Sequence, residues 1–133
     1  MKIPTTKLIG RALDWAVNQS VAKAYPGEEV MPLAADHTGE LRDGGFKLYS
    51  PSTLWEQGGP LMQRAKIGYT CWNEPNCRAS FAFPVKHPND KTRDPTYHGK
   101  DGPTPLIAGM RCFVAWQFGD EIDVPDEIAG PVA

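Results

Sequence analysis

The chain lacks any long hydrophobic run. No stretch approaches the roughly twenty consecutive apolar residues that a membrane-spanning helix needs, so no membrane segment is expected. Near the N-terminus Lys7, Gly10, Arg11 and Asp14 interrupt the apolar residues, and no secretory leader is expected there. Cysteine is scarce as well. Its odd count of three argues against a disulfide framework and for a reducing compartment, so the expectation is a soluble cytoplasmic protein. Excess charge of one sign is also missing, with 14 Lys and Arg against 16 Asp and Glu. The last fifteen residues hold Asp120, Glu121, Asp123, Asp126 and Glu127 and no base, which leaves 14 bases against 11 acids over residues 1–118. A body that mildly basic excludes a duplex nucleic-acid partner but suits a small anionic ligand.

Breakers of regular structure are plentiful. Gly and Pro contribute 13 residues each, which argues against an all-helical bundle, and 19 of these 26 fall in positions 26–105. With 41% hydrophobic residues, four Trp, four Tyr and five Phe, the chain has enough apolar surface to offset the entropy of ordering it. The length suits one domain.

Apolar residues recur at three- and four-residue spacing over residues 5–24, through Leu8, Ile9, Ala12, Leu13, Ala16 and Val17, so a helix is expected there. Thr5 or Thr6 is placed to cap it, Tyr25-Pro26-Gly27 to end it, and Gly10 within it implies close approach of another segment. A second helix is expected over about 104–118. Thr104 is its N-cap, Pro105 its first residue, and Gly119 its positive-φ stop. Residues 45–49 alternate as a strand, and 67–72 and 77–85 read as two antiparallel strands joined by a four-residue loop. Ser50-Pro51-Ser52 opens a short helix through Glu56, which Gly58-Gly59-Pro60 stops, and residues 61–64 are a further turn. Residues 86–103 lack periodicity and read as a long loop. The fold class is therefore α+β, with N-terminal and C-terminal helices on an antiparallel sheet of about three strands and long Gly/Pro-rich loops. Residues 1–119 form the single globular domain and 120–133 an acidic strand or tail.

Chemistry concentrates in residues 49–60, where Tyr49, Ser52 and Trp55 combine an aromatic face with hydroxyls, and Gly58 and Gly59 could turn amides outward to an anion. A core tryptophan and a plain turn explain the same residues. Arg64, Arg78 and Arg111 could grip a phosphate or carboxylate, or could instead pair with Glu56, Glu74 or the acidic tail. Tyr97-His98 could close over a ligand. Cys71, Cys77, His87 and His98 match none of the usual zinc spacings, so no metal is expected. Cys71 and Cys77 instead face each other as thiols near the hairpin end. Cys112 with His37 and Asp36 is a poor nucleophile set, because Cys112 sits on a helix flank where thiols pack. The pairs Asp120-Glu121 and Asp126-Glu127 read as a solvated end. No catalytic residues and no cofactor are expected.

Three blocks carry a resemblance: Arg11-Ala12-Leu13-Asp14-Trp15-Ala16-Val17; Tyr49-Ser50-Pro51-Ser52-Thr53 with Trp55 and Gly58-Gly59-Pro60; and Gly102-Pro103-Thr104-Pro105-Leu106-Ile107 through Met110-Arg111-Cys112 to Gly119-Asp120-Glu121. In order and spacing they resemble the NinX-like family of small phage and prophage proteins. The resemblance implies a phage-encoded accessory protein of the bacterial cytoplasm and supplies no activity. Where the blocks meet, Asp14, Trp15, Ser52, Trp55, Gly58, Gly59, Thr104 and Arg111 are the expected site. The leading expectation is a non-enzymatic protein that captures a nucleotide-like molecule, such as a host defence signal, with Trp55 stacking and Arg111 neutralising charge. An adaptor for a host or phage protein, and a small hydrolase or transferase, are the alternatives. Homo-oligomerisation stays open.

Overall fold

The computed structural model describes residues 1–27, 38–40, 46–72, 76–88 and 92–129. In chain order these form strand β1 (Lys2–Pro4), a 3-10 turn (Thr5–Lys7), helix α1 (Gly10–Ala24), strands β2 (Thr38–Glu40) and β3 (Phe46–Leu48), helix α2 (Trp55–Ala65), strands β4 (Ile67–Cys71), β5 (Cys77–Phe81) and β6 (Lys100–Gly102), helix α3 (Pro105–Phe118), strand β7 (Glu121–Asp123) and the short α4 (Asp126–Ala129). The fold is α+β, with helices packed on small antiparallel sheets.

Helix α3 is the centre of the molecule because it is apolar nearly all round. Ten of its fourteen residues are buried, as a helix enclosed on every side requires. It starts where its capping residues place it: Thr104 Oγ1 accepts from the Ile107 amide at 3.1 Å, and Pro105 takes the first helical position. It stops at Gly119, whose φ of +86° few other residues adopt and whose amide donates to the Ala115 carbonyl. Helices α1 and α2 and strands β4, β5 and β6 all pack against it. Leu8, Leu13, Val17, Met110, Phe113, Val114 and Val124 are fully buried there.

Helix α1 begins five residues later than its apolar spacing suggests. Thr5 is fully buried and does not cap it; its hydroxyl lies against the Gly119 and Asp120 carbonyls at 3.1 and 3.2 Å, and its amide donates to Asp120. The N-terminal segment is thereby tied to the end of α3. Gly10 has φ +60° and open space where a side chain would stand, so it is needed for backbone conformation rather than for close approach.

Helix α2 overturns the expected stop at Gly58-Gly59-Pro60, which lies inside it. A Cβ at Gly58 would stand 2.2 Å from the Pro51 carbonyl oxygen and 2.8 Å from Leu106, so Gly58 lets α2 seat against residue 51 and α3. Pro60 and Glu56 both face solvent, where water can satisfy the Glu56 carbonyl that Pro60 leaves without an amide. The helix ends at Lys66, in the left-handed conformation.

Strands β4, β5 and β6 form the three-stranded sheet in that order. The third strand was expected at residues 45–49, but β3 pairs with β2, and the third place is taken by β6, from the segment read as loop. Strand β5 ends at Phe81 rather than 85. The chain bends at 82–83, Pro84 cannot donate to a ladder, and Val85 makes only an isolated bridge to Thr96. The register of β4 on β5 sets Cys71 opposite Cys77, with Cα atoms 4.0 Å apart, and the two form a disulfide instead of the expected thiol pair. Cys112 alone is free, and buried, so the odd count does not speak against a disulfide.

Residues 121–123 pair with β1, Ile122, Val124 and Ile128 enter the core, and the Met1 ammonium sits 2.9 Å from Asp123. Arg11 donates to the Glu127 and Ile128 carbonyls. Among the described residues no helix is long and apolar enough to cross a membrane.

Candidate functional site

Two depressions flank the turn that leads into α3. The first, a groove of about 240 Å³, is lined by Ser52, Thr53, Trp55, Thr104, Pro105, Leu106 and Ile107. It brings together three of the expected site residues, Ser52, Trp55 and Thr104.

The groove's near wall is the turn at residues 50–54, and Asp14 fixes it. Asp14 is fully buried; its Oδ1 accepts from the Ser52 amide at 2.9 Å and its Oδ2 from the Ser50 hydroxyl at 3.2 Å. The Gln57 side chain accepts from the Ser50 amide, and the Thr53 and Leu54 amides both donate to the Ser50 carbonyl. Asp14 thus acts on the groove from behind. Tyr49 lies beside it, and burial together with the Asp14 charge raises its phenol above the ordinary range.

Two polar groups at the groove are left open. Ser52 is only 2% exposed, yet its hydroxyl makes no hydrogen bond among the described residues. Leu106, the second residue of α3, has an amide that no carbonyl of its own helix can reach, as at every helix start. Trp55 lines the same groove, 51% exposed and packed on Tyr69 with ring centroids 5.9 Å apart. A half-open indole that shares a groove with a hydroxyl and a helix-start amide suits a flat heterocycle with acceptor atoms at its edge.

The second depression, a cleft of about 410 Å³, holds Arg111 with Arg78, Lys100 and Asp101. Arg111 and Trp55 therefore line different surfaces. Arg111 donates from Nε to the Leu8 carbonyl at 2.8 Å and from Nη1 to the Asp101 carbonyl at 2.9 Å, and Arg78 pairs with the Asp101 carboxylate at 2.8 Å, while Glu74 lies outside the described residues. Arg64 lies over the Tyr25 ring at 3.6 Å. Trp15 borders a third depression with Met1, Asp123 and Pro125. Gly58 and Gly59 are helical, and the Gly58 amide donates to the Leu54 carbonyl at 2.9 Å, so it does not face outward.

Burial pushes the Cys112 thiol up to about 12, which makes it a packed hydrophobe near neutral pH; His37 and Asp36 lie outside the described residues. Cys71 and Cys77 are spent on each other, and among the described residues no three His, Cys, Asp or Glu side chains converge on a metal position. His98 Nε2 meets the Val85 carbonyl at 3.0 Å, and its ring packs on His87 at 4.7 Å. Burial, foremost, and the neighbouring His87, Lys100 and Arg93 charges lower its pKa. Lys100 and Thr6, on the cleft, carried no sequence signal, since only the β5–β6 register and the 3-10 turn bring them there.

Among the described residues a central capped helix, three small antiparallel sheets and a depression on each side of the helix start define a small α+β protein built around the turn into α3. The sequence model described as bacteriophage P22 NinX matches residues 4–117, and the chain belongs to that family. The family expected from the three sequence blocks is the family shown. No match was found among curated proteins.

Proposed function

We propose that this member of the phage NinX family is an accessory protein that binds a small nucleotide-like ligand in the groove beside Trp55. The observation that carries the reading is the lining of the groove, where the Ser52 hydroxyl, which makes no hydrogen bond among the described residues, and Leu106 at the start of α3 border the same space as the half-open indole of Trp55. A polar group on a groove wall that makes no hydrogen bond among the described residues can meet a ligand's acceptor or donor without breaking a protein hydrogen bond. The base stacks on Trp55 and its edge meets Ser52 and Leu106. Binding without turnover is favoured because Asp14 engages the Ser52 amide and not its hydroxyl, so the carboxylate does not activate it. For a phage, such capture would withdraw a nucleotide signal of host defence.

The test is a thermal-shift and tryptophan-fluorescence screen with nucleosides, nucleotides and cyclic or ADP-ribose-like signals, alongside mass spectrometry of what co-purifies. At least one compound is expected to raise Tm and quench fluorescence in the wild type and to do neither in Trp55→Ala. A panel that leaves the wild type unmoved, with nothing co-purifying, sinks the reading.

A second reading, an adaptor for a host or phage protein, rests on β4. Its outer edge is unpaired among the described residues, and Tyr69 and Trp72 are exposed on or beside it. A partner strand could add there. Capture of a partner by the wild type and not by a Tyr69→Glu, Trp72→Glu variant supports it; equal capture by both removes it.

A further inference from the structure

We propose that the cleft on the other side of the turn at residues 102–105 is a separate binding site for a phosphate group, free or carried on a small molecule. Among the described residues three cations, Arg78, Lys100 and Arg111, line it with one acid, Asp101. The excess of two positive charges matches the charge of a phosphate monoester near neutral pH, about −1.5 to −2.

The cations are placed and still have donors to give. Arg111 uses Nε and Nη1 on the Leu8 and Asp101 carbonyls, which fixes the guanidinium plane; Nη2 has no acceptor among the described residues. Arg78 uses Nη1 on Asp101, and its other two nitrogens make no hydrogen bond among those residues. The Lys100 ammonium also has no acceptor among the described residues. Thr6 lines the same cleft.

The backbone holds this arrangement. The register of β5 on β6 sets Arg78 opposite Asp101, and a Cβ at Gly99 would meet the Arg78 guanidinium at 2.7 Å, so Gly99 lets that side chain lie flat along the wall. Burial removes water from Arg111 and lowers its pKa from the ordinary value, and an anion there replaces lost solvation. Fixed, partly desolvated guanidinium groups favour an oxyanion that can take several N–H donors at once. The cleft does not depend on the groove, which shares none of these side chains.

The test is calorimetric titration of the full chain with inorganic phosphate, pyrophosphate and adenosine monophosphate. Saturable binding of pyrophosphate is expected, weakening as salt rises. Lys100→Gln and Arg78→Gln should each weaken it about tenfold, the scale of one lost charge-assisted hydrogen bond. Trp55→Ala and Ser52→Ala should leave it unchanged. Arg78 is exposed and Lys100 half-buried, and circular dichroism checks that both variants fold. Phosphate binding as tight as pyrophosphate points to the free ion, and adenosine monophosphate binding that Lys100→Gln weakens points to a phosphate ester; either supports the site. No saturable binding of any of the three, or binding that Lys100→Gln and Arg78→Gln leave intact, overturns it. Adenosine monophosphate binding lost only in Trp55→Ala, with no pyrophosphate binding that the basic substitutions weaken, reports the groove alone and likewise overturns the cleft.

Discussion

Asp14 and Ser52 sit 2.9 Å apart, and substitution should separate their roles. Asp14→Ala removes the acceptor of the buried Ser52 amide and one of the two partners of the Ser50 hydroxyl, whose other partner is Thr53 Oγ1. A loss of about 1–3 kcal/mol is expected in urea unfolding, the cost of the one stranded amide. Ser52→Ala removes a hydroxyl that no protein atom uses, so stability should change by less than about 0.5 kcal/mol while groove binding falls. Equal destabilisation by both substitutions would show that the Ser52 hydroxyl is structural. Asp14 was legible as a site residue only through its sequence block, because nothing in residues 10–24 tells that its carboxylate reaches the turn at 50–54. Arg111 projects from the apolar stripe as its helical position predicts, but which surface it meets depends on the chain that lies beside it.

At the level of elements, α2 depends on one glycine. Gly58→Ala drives a Cβ into the Pro51 carbonyl and Leu106, and backbone cannot yield as a flexible side chain does. The substitution should cost about 1–3 kcal/mol by overpacking and also displace the groove wall. Gly59→Ala meets only the edge of Trp55 at 3.3 Å and should be close to neutral. If urea melts show the two alanine variants equally stable, the seating of α2 on residue 51 is wrong. The two long helices were readable from spacing, and the start of α3 was readable to the residue because its cap is local. The breakers in residues 58–60 misled because Gly and Pro mark turns only when no tertiary contact opposes them. Here the close approach at Gly58 and the solvent-facing position of Pro60 let the helix continue.

Across the whole molecule the two ends of the chain close on each other. Strand β1 pairs with β7, Thr5 reaches Gly119 and Asp120, and Ile122, Val124 and Ile128 are buried. Truncation after Gly119 removes all three side chains, each worth about 1.5–3 kcal/mol when buried, a total comparable with the whole stability of a small domain. The truncated chain should therefore fail to give a cooperative thermal transition by circular dichroism. A cooperative transition near the wild-type Tm would show that residues 120–129 are dispensable to the core. An adaptor is thus better tested through Tyr69 and Trp72 than by removing the acidic end. By itself the sequence determined the α+β class, the two principal helices, the hairpin of β4 and β5 and the family, because periodicity, caps and block order are local properties. Only the tertiary structure decided that Cys71 and Cys77 pair, that β6 completes the sheet, and that Trp55 and Arg111 face different depressions. Those outcomes depend on strand register and on which distant segment occupies a surface, and spacing along the chain encodes neither.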